Sequence, residues 1–213
     1  MPPETDICGI LLAGGQSRRM GGGDKCLLSL GGKTLLRRMI DVARPQVGPV
    51  ILNTNSDPAL FADYGLPVAP DVVGGHAGPL AGVLTGLEWA ALHAPDCQWV
   101  ASFACDAPFV PADLVGRLRQ AIEADDADMA CAASGGRHHP VFALWPVRLA
   151  AELRDAVTRE GLRKVDDWTA RYVQARVEFS ADPDDPFFNI NRPEDLAAAE
   201  NLLTRRSDGE LSG

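Results

Sequence analysis

The feature that most constrains this chain is the run Ile7-Cys8-Gly9-Ile10-Leu11-Leu12-Ala13, which Gly14-Gly15 cuts off abruptly. Its residues are apolar or small without alternation, so it has no face to offer to water. A run this short, ended by paired glycines, fits a strand covered on both sides rather than a helix. Such a strand needs helices above and below it, which predicts a parallel sheet inside an α/β architecture.

The rest of the sequence supplies those helices. At 34–44 apolar and basic residues recur at helical spacing, with Thr34 placed as N-cap and Pro45 as stop. An apolar strand at 50–52 closes on Asn53-Thr54-Asn55, and a short helix at 58–64 leads to a strand at 67–69. A helix at 80–93 ends before Pro95, and a strand at 99–104 runs into Cys105-Asp106-Ala107-Pro108. A helix at 112–123, strands at 129–132 and 141–144, helical stretches within 148–171, a strand at 173–179 and a helix at 193–203 complete the alternation. Strands alternating with helices predict a Rossmann-like fold, with a mostly parallel central sheet and helices on both faces. The expected domain is single and spans residues 7–204, with flexible termini at 1–6 and 205–213.

Composition narrows the function classes. The net charge of −9 sets the whole chain against phosphate backbones and anionic lipid, so neither nucleic acid nor membrane is an expected partner. Any phosphate ligand must be held by a local island of cations, backbone N–H groups or metal. The five cysteines are odd in number, scattered and without a CxxC pair, as for reduced, mostly buried thiols. The acidic, proline-containing start lacks a basic stretch followed by an apolar run, and a cytoplasmic location is expected.

In open α/β sheets the ligand crevice lies beyond the carboxyl ends of the strands. The loop after the first strand, from Leu12 and Ala13 through Gly14, Gly15, Arg18, Arg19 and Met20 to Lys25, concentrates glycine and positive charge at such a point. Glycines there let backbone N–H groups turn toward an anion while Arg18, Arg19 and Lys25 add charge. The spacing is neither that of a P-loop nor that of GxGxxG. Asp106, directly after another apolar strand, suits Mg²⁺ bridging nucleotide phosphates, although an Asp here also serves as a turn former or cap. Asn189 and Asn191 lie two apart and face one side of an extended segment, which fits a pterin or phosphate ligand and equally a turn before Pro193. His139-Pro140 enters a strand, and Asp71 either contributes to the crevice or caps the loop that follows.

The ordered set Leu12-Ala13-Gly14-Gly15, Arg19-Met20-Gly21, Asp24-Lys25, Asn53, Gly78-Pro79-Leu80-Ala81-Gly82, Cys105-Asp106-Ala107-Pro108 and Asn189-Ile190-Asn191 resembles the molybdenum cofactor guanylyltransferases of the MobA type. The resemblance runs in order through nearly the whole chain. It implies transfer of GMP from Mg-GTP to molybdopterin carrying molybdenum, with pyrophosphate released and the guanine dinucleotide cofactor formed. It implies Leu12, Ala13, Gly14, Gly15, Lys25, Asn53, Asp71 and Asp106 as the nucleotide site, and Asp106 as the metal ligand. The expected catalytic groups are Lys25, Asp106 and Arg19, with Asn189, Asn191 and His139 toward the acceptor. Mg²⁺ is the implied cofactor, and transient contacts with other cofactor-biosynthesis proteins or receiving apoenzymes are expected. Three other readings use the same loop: a cytidylyltransferase acting on the same cofactor, a sugar-phosphate nucleotidyltransferase, and a carrier without turnover. Gly14-Gly15, where cytidylyltransferase relatives carry Ala then Gly, favours GTP. The joint presence of Lys25 and Asp106 argues against a passive carrier.

Overall fold

A computed structural model describes residues 5–14, 23–74 and 78–210. The apolar run forms β1 (Ile7–Leu12), and a turn of 3₁₀ helix at Lys25–Leu27 precedes a small hairpin of β2 (Ser29–Leu30) and β3 (Lys33–Thr34). Helix α1 (Leu35–Ala43) follows, and the Thr34 hydroxyl caps it by accepting from the Arg37 N–H at 3.1 Å. Next come β4 (Val50–Asn53), a 3₁₀ segment at Pro58–Tyr64, β5 (Val68–Ala69), α2 (Pro79–His93) and β6 (Trp99–Ala104). The second part contains α3 (Leu114–Asp125), β7 (Met129–Ser134), β8 (Arg137–Pro146), α4 (Ala150–Thr158), α5 (Val165–Thr169), β9 (Gln174–Phe179) and α6 (Pro193–Glu210). The last helix runs past the expected end at residue 203, to Glu210.

The strands form one sheet in the order β5-β4-β1-β6-β8-β7-β9. Strand β1 pairs in parallel with β4 on one side and β6 on the other, and β8 alone runs against its neighbours. Side chains of β1 alternate between two cores: Ile7 and Leu11 pack with Met39, Ile40 and Leu118 of α1 and α3, whereas Cys8 and Ile10 pack with Leu84, Leu87 and Trp168 of α2 and α5. Burial of both faces is why the strand reads as an unbroken apolar run. A third cluster of Leu30, Leu35, Phe109, Ile190, Ala199 and Leu202 docks α6 on the β2–β3 hairpin, and Glu200 accepts from the Gly31 N–H at 2.9 Å. This docking carries the segment before α6 back to the ends of β1 and β6.

The β7–β8 connection departs from the βαβ pattern. Gly135 and Gly136, both at positive φ (52° and 76°), make a two-residue turn between Ser134 and Arg137, which is the hairpin turn that favours glycine. Cys131 lies opposite Ala143 but Ala132 lies opposite His139, so Pro140, Val141 and Phe142 bulge from β8. The bulge is tied down by Ser102, whose hydroxyl donates to the Val141 carbonyl at 2.7 Å and accepts from Trp145 Nε1 at 2.8 Å.

Candidate active site

The carboxyl ends of β1, β4 and β6 open onto a cleft of about 470 Å³. Leu12, Ala13, Gly14, Lys25, Asn53, Asp71, Asp106 and Asn189 line it, so this group of sequence-derived candidates converges on one place. Gly78, Pro79 and Gly82 line it too, placing the first turn of α2 at the wall. A Cβ on Gly82 would stand 2.6 Å from both Asn53 Oδ1 and Leu12 Cδ2, so only glycine lets the helix approach the ends of β1 and β4 this closely. Gly15, Arg18, Arg19 and Met20 fall outside the described residues.

At the centre, Lys25 Nζ donates to Asp106 Oδ2 at 2.7 Å and to Asn191 Oδ1 at 2.7 Å. Three distant stretches meet here: the turn after the glycine-rich loop, the end of β6 and the segment before α6. The geometry is fixed from several sides. The Ser56 hydroxyl donates to Asp24, next to Lys25; the Ile190 N–H donates to the Asp106 carbonyl at 2.9 Å; and Asp195 Oδ2 accepts from the N–H groups of Asn191 and Arg192 at 2.7 and 2.9 Å. Lys25 and Asp106 keep 15% and 28% of their side-chain surface exposed, so both stay reachable by a ligand in the cleft.

A second polar group lies beyond β4. Asn53 Nδ2 donates to Asp71 Oδ1 at 3.0 Å, Asn55 Nδ2 donates to Asp71 Oδ2 at 2.8 Å, and the Asp71 N–H returns a bond to Asn55 Oδ1 at 2.9 Å. Both carboxylate oxygens are thereby oriented by amides. Asn55 was not among the sequence candidates, although it stands two residues after Asn53 in the same stretch beyond the strand.

Cys26 and Cys105 also line the cleft, next to Lys25 and Asp106. Burial pushes the Cys26 thiol up to about 12 and raises that of Cys105 as well, so both remain protonated, packed side chains rather than nucleophiles. All five cysteines are free and buried.

His139 is placed otherwise than expected. It does not line the cleft; it is 8% exposed, and its ring packs inward on Phe187 with centroids 4.5 Å apart while Nε2 lies 2.7 Å from Ser134 Oγ. The β8 bulge causes this, since it sends Val141 rather than His139 to the cleft wall.

For a metal, Asp106 offers one carboxylate. Among the described residues no group of three or more His, Cys, Asp and Glu side chains is placed to cage an ion. That donor set fits a hard cation whose other ligands are phosphate oxygens and water.

A mostly parallel sheet whose strand ends hold glycine, a lysine paired with a carboxylate, and an amide-oriented second carboxylate fits an α/β enzyme of the nucleotidyltransferase class. The chain belongs to the family of the MobA-like NTP transferase domain, whose model matches residues 9–175. A molybdenum cofactor guanylyltransferase of Bradyrhizobium sp. (strain ORS 278) is 56% identical over 93% of this chain and 93% of its own length. One from Rhodopseudomonas palustris (strain BisB5) is 54% identical over 93% and 94%. Among solved structures, the molybdopterin-guanine dinucleotide biosynthesis protein A of Archaeoglobus fulgidus superposes with a TM-score of 0.70 at 23% identity, covering 93% of this chain and 99% of that one. That likeness bears on the fold.

Proposed function

We propose that this chain transfers GMP from GTP to the terminal phosphate of molybdopterin carrying molybdenum, releasing pyrophosphate and forming the guanine dinucleotide cofactor. The observation that carries the reading is the junction of Lys25 and Asp106, which line the cleft, with Asn191 at its edge, where the ends of β1 and β6 meet the segment before α6. The reaction exchanges one phosphoanhydride for another: a phosphate oxygen of the acceptor bonds to the α-phosphorus of GTP as the bond to pyrophosphate breaks. It needs positioning and charge neutralisation rather than a covalent enzyme intermediate.

The chain's residues divide that work. Lys25 donates to phosphate oxygens in place of Asp106 Oδ2 and Asn191 Oδ1, so the charge that the ligand needs is already aimed. Asp71, with both oxygens oriented by Asn53 and Asn55, and the backbone of Leu12 to Gly14 face the nucleoside. Asn189 and Asn191 face the acceptor. Asp106 would hold Mg²⁺, which when bound neutralises phosphate charge and polarises the α-phosphorus. We assign Arg19 and Gly15 to the phosphates on sequence alone. No described helix is long and apolar enough to cross a membrane, and transient contact with other cofactor-biosynthesis proteins or receiving apoenzymes remains part of the proposal, as does a cytoplasmic location.

The test is nucleotide-dependent thermal unfolding with Mg²⁺. A ligand at a hundredfold its dissociation constant stabilises the folded state by about 2.7 kcal/mol. GTP should raise the melting temperature more than CTP, UTP or ATP, and omission of Mg²⁺ should shrink the shift. Equal shifts with all four nucleotides would remove the assignment of GTP as donor.

A further inference from the structure

Ser134 and His139, both buried, and the half-buried Asp185 form a chain of polar groups that the proposed reaction does not use. Ser134, at the end of β7 and 1% exposed, donates its hydroxyl proton to Asp185 Oδ1 at 2.7 Å and lies 2.7 Å from His139 Nε2. A serine has one proton to give. With that proton on Asp185, the contact with His139 is a hydrogen bond only if Nε2 carries a hydrogen and donates it to the serine oxygen. The direction of the chain is therefore fixed: His139 to Ser134 to Asp185.

The surroundings are aromatic. Phe187 stacks on His139 and contacts Phe142 at 5.0 Å and Phe179 at 5.4 Å between ring centroids. Polar groups in such a place cost stability unless each is paired, and a paired network fixes one arrangement of the elements that contribute to it. Here those elements are β7, β8 and the stretch after β9. Burial lowers the affinity of His139 for a second proton; Asp185 and Glu178 raise it, Arg137 and His138 lower it, and the net direction is down.

The arrangement that the network fixes is the path to the reacting centre. Asp185 Oδ1 also accepts from the Phe187 N–H at 2.9 Å, and the Asp185 carbonyl accepts from the Phe188 N–H at 3.2 Å, which closes a turn. From that turn the chain passes to Asn189 in the cleft wall, to Ile190, bonded to the Asp106 carbonyl, and to Asn191, bonded to Lys25. We propose that Ser134, His139 and Asp185 form a positioning unit that sets residues 185–191 against the Lys25–Asp106 pair and so shapes the acceptor end of the cleft. The assignment of this end to the acceptor rests on the function proposed above; the positioning itself does not.

Two measurements decide it. In steady-state kinetics with Mg-GTP and molybdopterin, Ser134→Ala and His139→Phe, the latter keeping the ring stack but losing the donor, should raise KM for the acceptor about tenfold. The melting-temperature shift caused by Mg-GTP should stay at its wild-type size in both. His139→Gln, which keeps an N–H at similar reach, should recover most of the loss. A lowered melting temperature with unchanged acceptor KM would make the network merely structural and overturn the proposal, as would an equal rise in the KM for GTP. The second readout is independent of turnover. Amide hydrogen exchange at Phe187, Ile190 and Asn191 should quicken about tenfold in Ser134→Ala while β1 and β4 keep wild-type rates; unchanged exchange there overturns the proposal. If the wild type does not use molybdopterin, the functional reading fails and exchange alone decides the positioning. Should Ser134→Ala not fold, Asp185→Asn at its half-buried site carries the same readouts.

Discussion

On the side of the cleft proposed to hold the nucleotide, β5, β4, β1 and β6 run parallel, and the lining residues follow their strands within a few positions: Gly14 after β1, Asn53 and Asn55 at and beyond the end of β4, Asp71 after β5, and Asp106 after β6. On the other side, β8 runs against its neighbours and carries a bulge that brings Val141 to the wall, and an irregular stretch held by hydrogen bonds contributes Asn189. The first side is positioned by the sheet, and its accuracy comes from a buried scaffold. The second is positioned side chain by side chain, through Ser134, Asp185, Asp195 and the Asn191–Lys25 bond. A site built in these two ways should respond differently to substitutions on its two sides.

The largest effect is expected at the junction itself. Asp106→Asn keeps the shape but removes the charge that faces both Lys25 and the proposed metal, and turnover should fall about 10³-fold, on the order of 4 kcal/mol, with the fold intact. Wild-type-like turnover at saturating Mg²⁺ would sink the role of the carboxylate. Next is Gly82→Ala, whose methyl would press on Asn53 Oδ1 and Leu12 Cδ2 at 2.6 Å. Overpacking of this kind costs roughly 1–3 kcal/mol. The melting temperature should drop and KM for GTP should rise about tenfold, with little change in KM for the acceptor; a shift confined to the acceptor would break the division between the sides. The smallest effect is expected for Asn55→Ala, which leaves Asp71 to Asn53 alone. A partly exposed hydrogen-bonded pair is worth about 1 kcal/mol, so KM for GTP should rise roughly fivefold at unchanged kcat, measured by initial rates. No change in KM would show that the orientation of Asp71 does not matter to the nucleotide.

The same contrast explains what could be read in the sequence. The side proposed to hold the nucleotide was legible because a doubly covered strand must be an apolar run, and the crevice rule then selects whatever follows it: Leu12 to Gly14, Lys25, Asn53, Asp71 and Asp106 all line the cleft. Thr34 as cap and the alternation through β6 followed from local chemistry. The side proposed to face the acceptor was less legible because its placement is not local. Strands were expected at 129–132 and 141–144, yet the hairpin turn at Gly135-Gly136 and the bulge at residues 140–142 decide that Val141 and not His139 reaches the cleft. Periodicity carries no signal for a bulge. Asn191 had an expected direction from its spacing to Asn189, but its bond to Lys25 depends on α6 docking over the β2–β3 hairpin, a contact between ends of the chain far apart in sequence.

Guanylyl transfer stands or falls on the choice of base. A Cβ built on Gly14 meets no described atom within 4 Å, and Gly14 lines the cleft where the nucleotide is proposed to lie, so Gly14→Ala should leave the described fold unchanged and act on the nucleotide. A purine needs closer approach to this backbone than a pyrimidine, and a site that hydrogen-bonds the guanine edge leaves its own groups unpaired with cytosine. Pyrophosphate release should be measured with molybdopterin, Mg²⁺ and either GTP or CTP, for the wild type and for Gly14→Ala. The wild type should prefer GTP, and the variant should lose more activity with GTP than with CTP. Equal use of the two nucleotides by the wild type, or a preference for CTP, would contradict guanylyl transfer while leaving nucleotidyl transfer standing.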